Sequence, residues 1–117
     1  MLTLKQARQQ INDDPQHWAI HLMDFVDDFR CYRDPQMIAE PFELTDERMD
    51  ALLAATAEQL CEELKLAVPS WIRAVPAVRE PWFVSGMENL KAITLVESPL
   101  PFRLRKVFVL ENFLSRV

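Results

Sequence analysis

A single glycine in 117 residues, Gly86, is the tightest constraint on what this chain can become. Two-residue β-hairpins need positive φ at their turns, which glycine supplies at least cost. One glycine is too few for a fold built of hairpins, and it leaves no glycine-rich loop to cradle a phosphate. Proline punctuates the chain instead. There are eight, nearly all at plausible helix starts, where the missing N–H costs nothing. The chain is therefore expected to be mainly α, with several short helices.

The helix signals can be read in order. Thr3 and Gln6 have the spacing of a capping box, which opens a helix from Leu4 to about Ile11. Asn12-Asp13-Asp14 breaks it, and Asp14 is expected to cap a second helix with Pro15 in its first turn, running to about Tyr32. Trp18, Leu22, Phe25, Val26 and Phe29 share a face, and Ala19 and Met23 widen it, so this helix is expected at the centre of the core. Asp34-Pro35 opens a short turn of helix through Ala39. Thr45 is expected to cap a helix from Asp46 to about Leu66, the cleanest amphipathic pattern, with Met49, Leu53, Thr56, Leu60 and Leu64 in one stripe.

Pro69 to Arg73 reads as one helical turn and residues 76–81 as loop. Ser85-x-x-Glu88 reads as a second capping box, opening a helix to about Glu97. Ser98-Pro99 starts another turn near Phe102, and residues 112–116 a last one. The extended runs near residues 82–84 and 107–109 are expected to pair as a minimal two-stranded β element. The sum is a single compact domain of five to seven helices. Its length suits one domain, and 50% apolar with 26% charged residues is the balance of a globular chain.

Charge divides the chain. Residues 1–66 hold six Lys/Arg against fourteen Asp/Glu, a sum of −8, and residues 67–117 hold seven against four, a sum of +3. The acidic half argues against nucleic acid as a partner, while the basic half suits an anion or an acidic protein. Attraction between the two halves in the fold is the plainer account. Cys31 and Cys61 lie in helical patterns with no C-x-x-C spacing, and both read as buried, reduced thiols. Met1 to Lys5 reads as a native start rather than a targeting segment, so a cytoplasmic location is expected. No apolar run approaches the ~20 residues of a membrane span.

No motif demands a particular chemistry. His17 and His21 are four apart, and Asp24 and Asp28 continue their stripe. Two imidazoles and a carboxylate at that spacing can hold a metal, which makes a small metal-dependent enzyme one reading. A solvated polar flank is the simpler one. Trp18 stands where a zinc protease helix would carry glutamate. No catalytic residue, cofactor or metal is assigned. The composition of an interaction surface falls in the second half, where Trp71, Trp82, Phe83, Phe102 and Phe108 mix with Arg73, Arg79, Arg103 and Arg105. The binding residues expected are Trp71, Trp82, Phe83, Arg103, Arg105 and Lys106. Phe102, Leu104 and Val107 would anchor the segment, leaving the arginines to point outward.

Three segments carry a resemblance: Pro69-Ser70-Trp71, Pro81-Trp82-Phe83, and Glu97-Ser98-Pro99 with Phe102-Arg103, Arg105 and Phe108-Val109. Together they resemble a family of small bacterial proteins of unestablished function that close on E-S-P-x-x-F-R-x-R-x-x-F-V. The resemblance covers about residues 60–117. Some similar segments follow a helix-turn-helix domain, and some are encoded near toxin–antitoxin-like partners. This chain has no room for a separate helix-turn-helix. The resemblance implies a bacterial regulatory accessory or antitoxin-like protein with a protein partner and no catalytic residue to transfer. A non-enzymatic interaction module is the function expected, a metal enzyme on His17 and His21 its rival, and a nucleic-acid-associated regulator third. Self-association stays open.

Overall fold

The computed structural model describes residues 1–115. Among these, α1 (Leu4–Asp13), α2 (Trp18–Tyr32) and α3 (Glu47–Leu64) form the body, followed by the short α4 (Ser70–Arg73). Then come β1 (Trp82–Phe83), α5 (Lys91–Glu97), α6 (Leu100–Leu104) and β2 (Val107–Phe108). Single 3-10 turns at Pro15–His17, Pro35–Ile38 and Glu88–Leu90 complete the helical structure. The fold is mainly α with a minimal two-stranded element, as the glycine and proline pattern predicts. One hydrophobic core runs from Leu4 through Leu114, and the radius of gyration is 13.2 Å, as for a single globule of this length.

The capping box at α1 is present: Thr3 Oγ1 accepts from the Gln6 N–H, and the Gln6 side chain accepts from the Thr3 N–H. Leu4, Ala7, Arg8 and Ile11 are buried at helical spacing. α2 buries Leu22, Phe25, Val26 and Phe29. It is not the central helix, because Ala19 and Ile20 are exposed. α3 takes that place, packing against α1, α2, α4, α6 and β2. Every residue from Asp50 to Ala57 is buried. Four of them are alanines, and small side chains let neighbouring backbones approach α3 from all sides. Sequence periodicity weights large aliphatics and so reads this helix as one-faced.

Two predicted caps belong to other contacts. The Asp14 side chain makes no capping hydrogen bond. Its carboxylate lies 3.0 Å from His17 Nδ1 and 3.0 Å from His21 Nε2. Thr45 is displaced by its neighbour, since Asp46 caps α3, accepting from the Arg48 and Met49 N–H groups. Thr45 Oγ1 accepts instead from Arg8 Nη2 at 2.8 Å. Arg8 is buried with Asp50, Nε to Oδ1 at 2.8 Å, and donates also to Asn12. All three hydrogen-bonding nitrogens of Arg8 are thus used, so the desolvated charge is matched in place and α1 is fixed to the start of α3.

The second predicted capping box is absent. Gly86 sits at φ +68° and its N–H donates to the Phe83 carbonyl at 3.0 Å, closing a turn before any helix begins. Nothing lies near the place where a Cβ would project, so glycine serves backbone conformation there, not space. With no other glycine, the left-handed positions at φ 52°, 61° and 61° fall to Arg33, Lys65 and Lys106, each at a cost of about 1–2 kcal/mol.

β1 and β2 run parallel, pairing Trp82 with Val107 and Phe83 with Phe108. Parallel strands require a long crossover, and here it holds α5 and α6. At the C-terminal end, the Phe113 N–H donates to the Leu110 carbonyl and the Ser115 N–H to that of Asn112, so a turn forms; Arg116, expected in it, lies outside the described residues. Of the two cysteines, Cys61 is buried, but Cys31 is exposed, contrary to expectation. Burial pushes the Cys61 thiol up to about 11, with Glu58 adding to the shift.

Leu60 is fully buried on α3 and Leu104 is 63% exposed on α6. Leu60→Ala is expected to cost about 2–4 kcal/mol in chemical denaturation and Leu104→Ala under about 0.5 kcal/mol. A loss below about 0.5 kcal/mol for Leu60→Ala would place that stripe outside the core.

Candidate functional site

The six residues expected to bind a partner do not form one surface. Arg105 is buried. Its Nη1 donates to the Pro101 carbonyl at 3.1 Å, and its Nη2 to the Ile72 carbonyl at 2.8 Å and to Glu58 Oε1 at 3.1 Å. Nε has no partner among the described residues. This arginine locks the C-terminal segment onto α3 and α4, which is the attraction between acidic and basic halves. The alternation of arginine with aliphatics could not reveal this, because beside the nearby Pro101 carbonyl the guanidinium is drawn inward by the Ile72 carbonyl and the Glu58 carboxylate, 33 and 47 residues away.

Trp71, Trp82 and Phe83 are half-buried with separate neighbours. Trp71 Nε1 donates to the Ile38 carbonyl at 2.9 Å, and its ring meets Phe42 edge-on at 5.2 Å. Trp82 lies 6.3 Å from Trp18, with the Arg48 guanidinium 5.4 Å from its ring centre. Phe83 stacks on Phe108 at 5.1 Å, and Lys91 Nζ is 5.2 Å from its ring centre. These rings join loops and strands to the body. Arg103 and Lys106 alone of the six are exposed.

The histidine stripe is also reorganised. His17 lies in the 3-10 turn before α2 and, with His21, faces Asp14. Their hydrogen bonds, that from His17 first, hold the Asp14 carboxyl below its ordinary value. Asp28 accepts from the Leu2 N–H at 2.7 Å. Among the described residues no three His, Cys, Asp or Glu side chains are grouped to hold a metal ion.

The feature that sequence reasoning missed is the outward apolar side of α5. Its one buried residue is Thr94, while Ala92, Ile93, Leu95 and Val96 are exposed, Val96 at 78%. At 100° per residue, Ala92 and Val96 lie opposite Thr94, with Ile93 and Leu95 at their sides. The helix is thus oriented with a hydroxyl inward and aliphatics outward. Polar bonds fasten it: Ser98, buried at its end, donates from Oγ to the Val109 carbonyl at 3.0 Å and accepts from the Val109 N–H at 2.8 Å. The single hydroxyl proton has a second acceptor within reach, the Thr94 carbonyl at 2.5 Å, so the two carbonyls share or compete for it. On α6 as well, Leu100 is 57% and Leu104 63% exposed. These two are four apart and share a face, while Pro101 and Phe102 turn inward. Beside Leu104, a cleft of about 430 Å³ opens between α6 and the end of α4, walled by Arg73, Val75, Pro76 and the Glu58–Arg105 pair.

The signal for this face was present in Ala92-Ile93-Thr94-Leu95-Val96. An aliphatic run broken by one threonine reads as core on hydropathy alone, and only the Ser98–Val109 bonds decide which side is inward.

Comparison with protein-family models, with curated proteins and with solved structures gave no match to this chain.

The burial difference between Arg103 and Arg105 has a measurable consequence. Arg105→Ala strands Glu58 in a half-buried place and removes two carbonyl partners, for an expected loss of about 3–5 kcal/mol. Arg103→Ala is expected to stay within about 0.5 kcal/mol. Equal losses in urea denaturation would contradict this arrangement.

Proposed function

We propose that this chain is a non-enzymatic protein-interaction module whose docking face is the outer surface of α5 and α6. One observation carries the reading: α5 buries Thr94 and exposes Ile93, Leu95 and Val96. A helix packed only for its own globule keeps its aliphatic stripe on the core. An exposed apolar stretch of this kind, continued by Leu100 and Leu104, is characteristic of a binding surface. Polar fastening through Ser98 and Val109 supports the same reading, because it holds the end of the helix in place without consuming its apolar side.

The resemblance of residues 60–117 to the small bacterial family supplies the concrete form, a regulatory accessory or antitoxin-like role. Cytoplasmic location belongs to the same proposal and is supported by the two free thiols. No helix among the described residues is long and apolar enough to cross a membrane. The partner surface moves from the aromatic residues Trp71, Trp82 and Phe83 to α5 and α6. Arg103 and Lys106 remain from the original set, at the rim.

A photo-crosslinking amino acid at Val96 or Leu100 tests this in cells that express the chain natively. A discrete adduct from these positions, absent when the probe stands at exposed Gln9 or Gln36 on the other elements, is the expected result. Adducts of equal yield from all four positions, or none from Val96 and Leu100, would overturn it.

A further inference from the structure

We infer that the cleft between α6 and the end of α4 is a binding site for a small aliphatic carboxylate, held by Arg105 and Arg73. The inference rests on this cleft alone and not on the docking reading above. What points to a ligand is Arg105 Nε. Arg105 is 5% exposed. Its Nη1 and Nη2 donate to the Pro101 and Ile72 carbonyls and to Glu58, yet Nε is buried and donates to nothing among the described residues. Buried donors are nearly always paired, and an unpaired one on a charged group is the kind that an acceptor from outside the fold completes. The other buried arginine gives the contrast: Arg8 has Nε and both Nη matched, by Asp50, Asn12 and Thr45.

Arg105 forms part of the wall of a cleft of about 430 Å³, a size that suits a small molecule. The charged groups on that wall are Arg73, Arg105 and Glu58. Two guanidiniums against one carboxylate leave a single positive charge, which matches a monoanion better than a phosphate dianion. Glu97 and Glu111 do not bear on this balance, because they line a different opening, with Leu110, Asn112 and Ser115. The rest of the wall is Ala74, Val75, Pro76, Ala77 and Leu104, whose apolar side chains suit a short aliphatic chain behind the carboxylate. Guanidinium and carboxylate then meet through charge-assisted hydrogen bonds. Nε carries almost no open surface, so the ligand reaches it only as neighbouring side chains give way. Arg73 and Leu104, both exposed on the same cleft, are able to do so.

The test is an NMR titration of the full chain with sodium butyrate, following the assigned Arg105 Nε–H resonance. A saturable shift of that resonance is expected. Butyramide, which has the same shape without the charge, and sodium chloride at equal ionic strength should leave it unmoved. The Arg73→Ala variant, altered only at an exposed side chain and so expected to melt with the parent, should bind butyrate at least about fivefold more weakly. No saturable shift with butyrate would overturn the inference. The same shift from butyramide or chloride would overturn it too, since the response would not be to a carboxylate. Inorganic phosphate saturating the resonance at lower concentration than butyrate would make the site one for phosphate and overturn the assignment to carboxylates. Unchanged butyrate affinity in Arg73→Ala would place the anion outside this cleft, with the same consequence.

Discussion

The placement of Arg105 decides the rest. A guanidinium taken out of water must be matched almost completely, because a buried unpaired charge costs several kcal/mol. Here the carbonyls of Pro101 and Ile72 and the carboxylate of Glu58 supply the match. They come from α6, α4 and α3, so one side chain fixes three helices. Once Arg105 is inward, Phe102 is fully buried beside it, and Leu100 and Leu104 are turned to solvent. Arg8 does the same at the first turn of α3, joining it to α1 through Asp50 and Thr45. Two buried arginines, not a wide apolar stripe on every helix, hold the peripheral elements to the alanine-centred α3.

This division of labour explains how the crossover between β1 and β2 can expose so much aliphatic surface. The parallel pairing requires a long connection. Ser98 fastens its middle to Val109, its hydroxyl accepting from the Val109 N–H with the Val109 carbonyl within reach of its one proton, and Arg105 fastens its end. Apolar burial is not needed to hold α5, which frees Ile93, Leu95 and Val96 for contact with another molecule.

Much of the body was legible from sequence because its signals are local. The Thr3–Gln6 capping box, the Asp34-Pro35 turn and the i, i+3, i+4 burial of α2 involve residues within one or two turns of each other. The errors share a physical cause. Asp14, Thr45 and Ser85 all carry side chains suited to capping, yet the first is taken by two histidines and the second by Arg8. The third stands beside the Gly86 turn. Thr45 is lost to a partner 37 residues away, while Asp14 turns to two nearby histidines and Ser85 to the Met87 N–H of its own turn, and a capping-box spacing registers none of these competitors. The proposed docking face was hidden because hydropathy shows only that residues 92–96 are apolar, while their outward direction depends on Ser98 meeting Val109, eleven residues away.

The most direct test of the central claim is hydrogen–deuterium exchange on the full chain, alone and with its captured partner. Opening free energies are lowest where few apolar contacts hold an element, so residues 91–104 are expected to exchange fast when alone and to gain protection when the partner binds, with α1 and α2 unchanged. Protection appearing on α1 and α2, with residues 91–104 unaffected, would contradict the account.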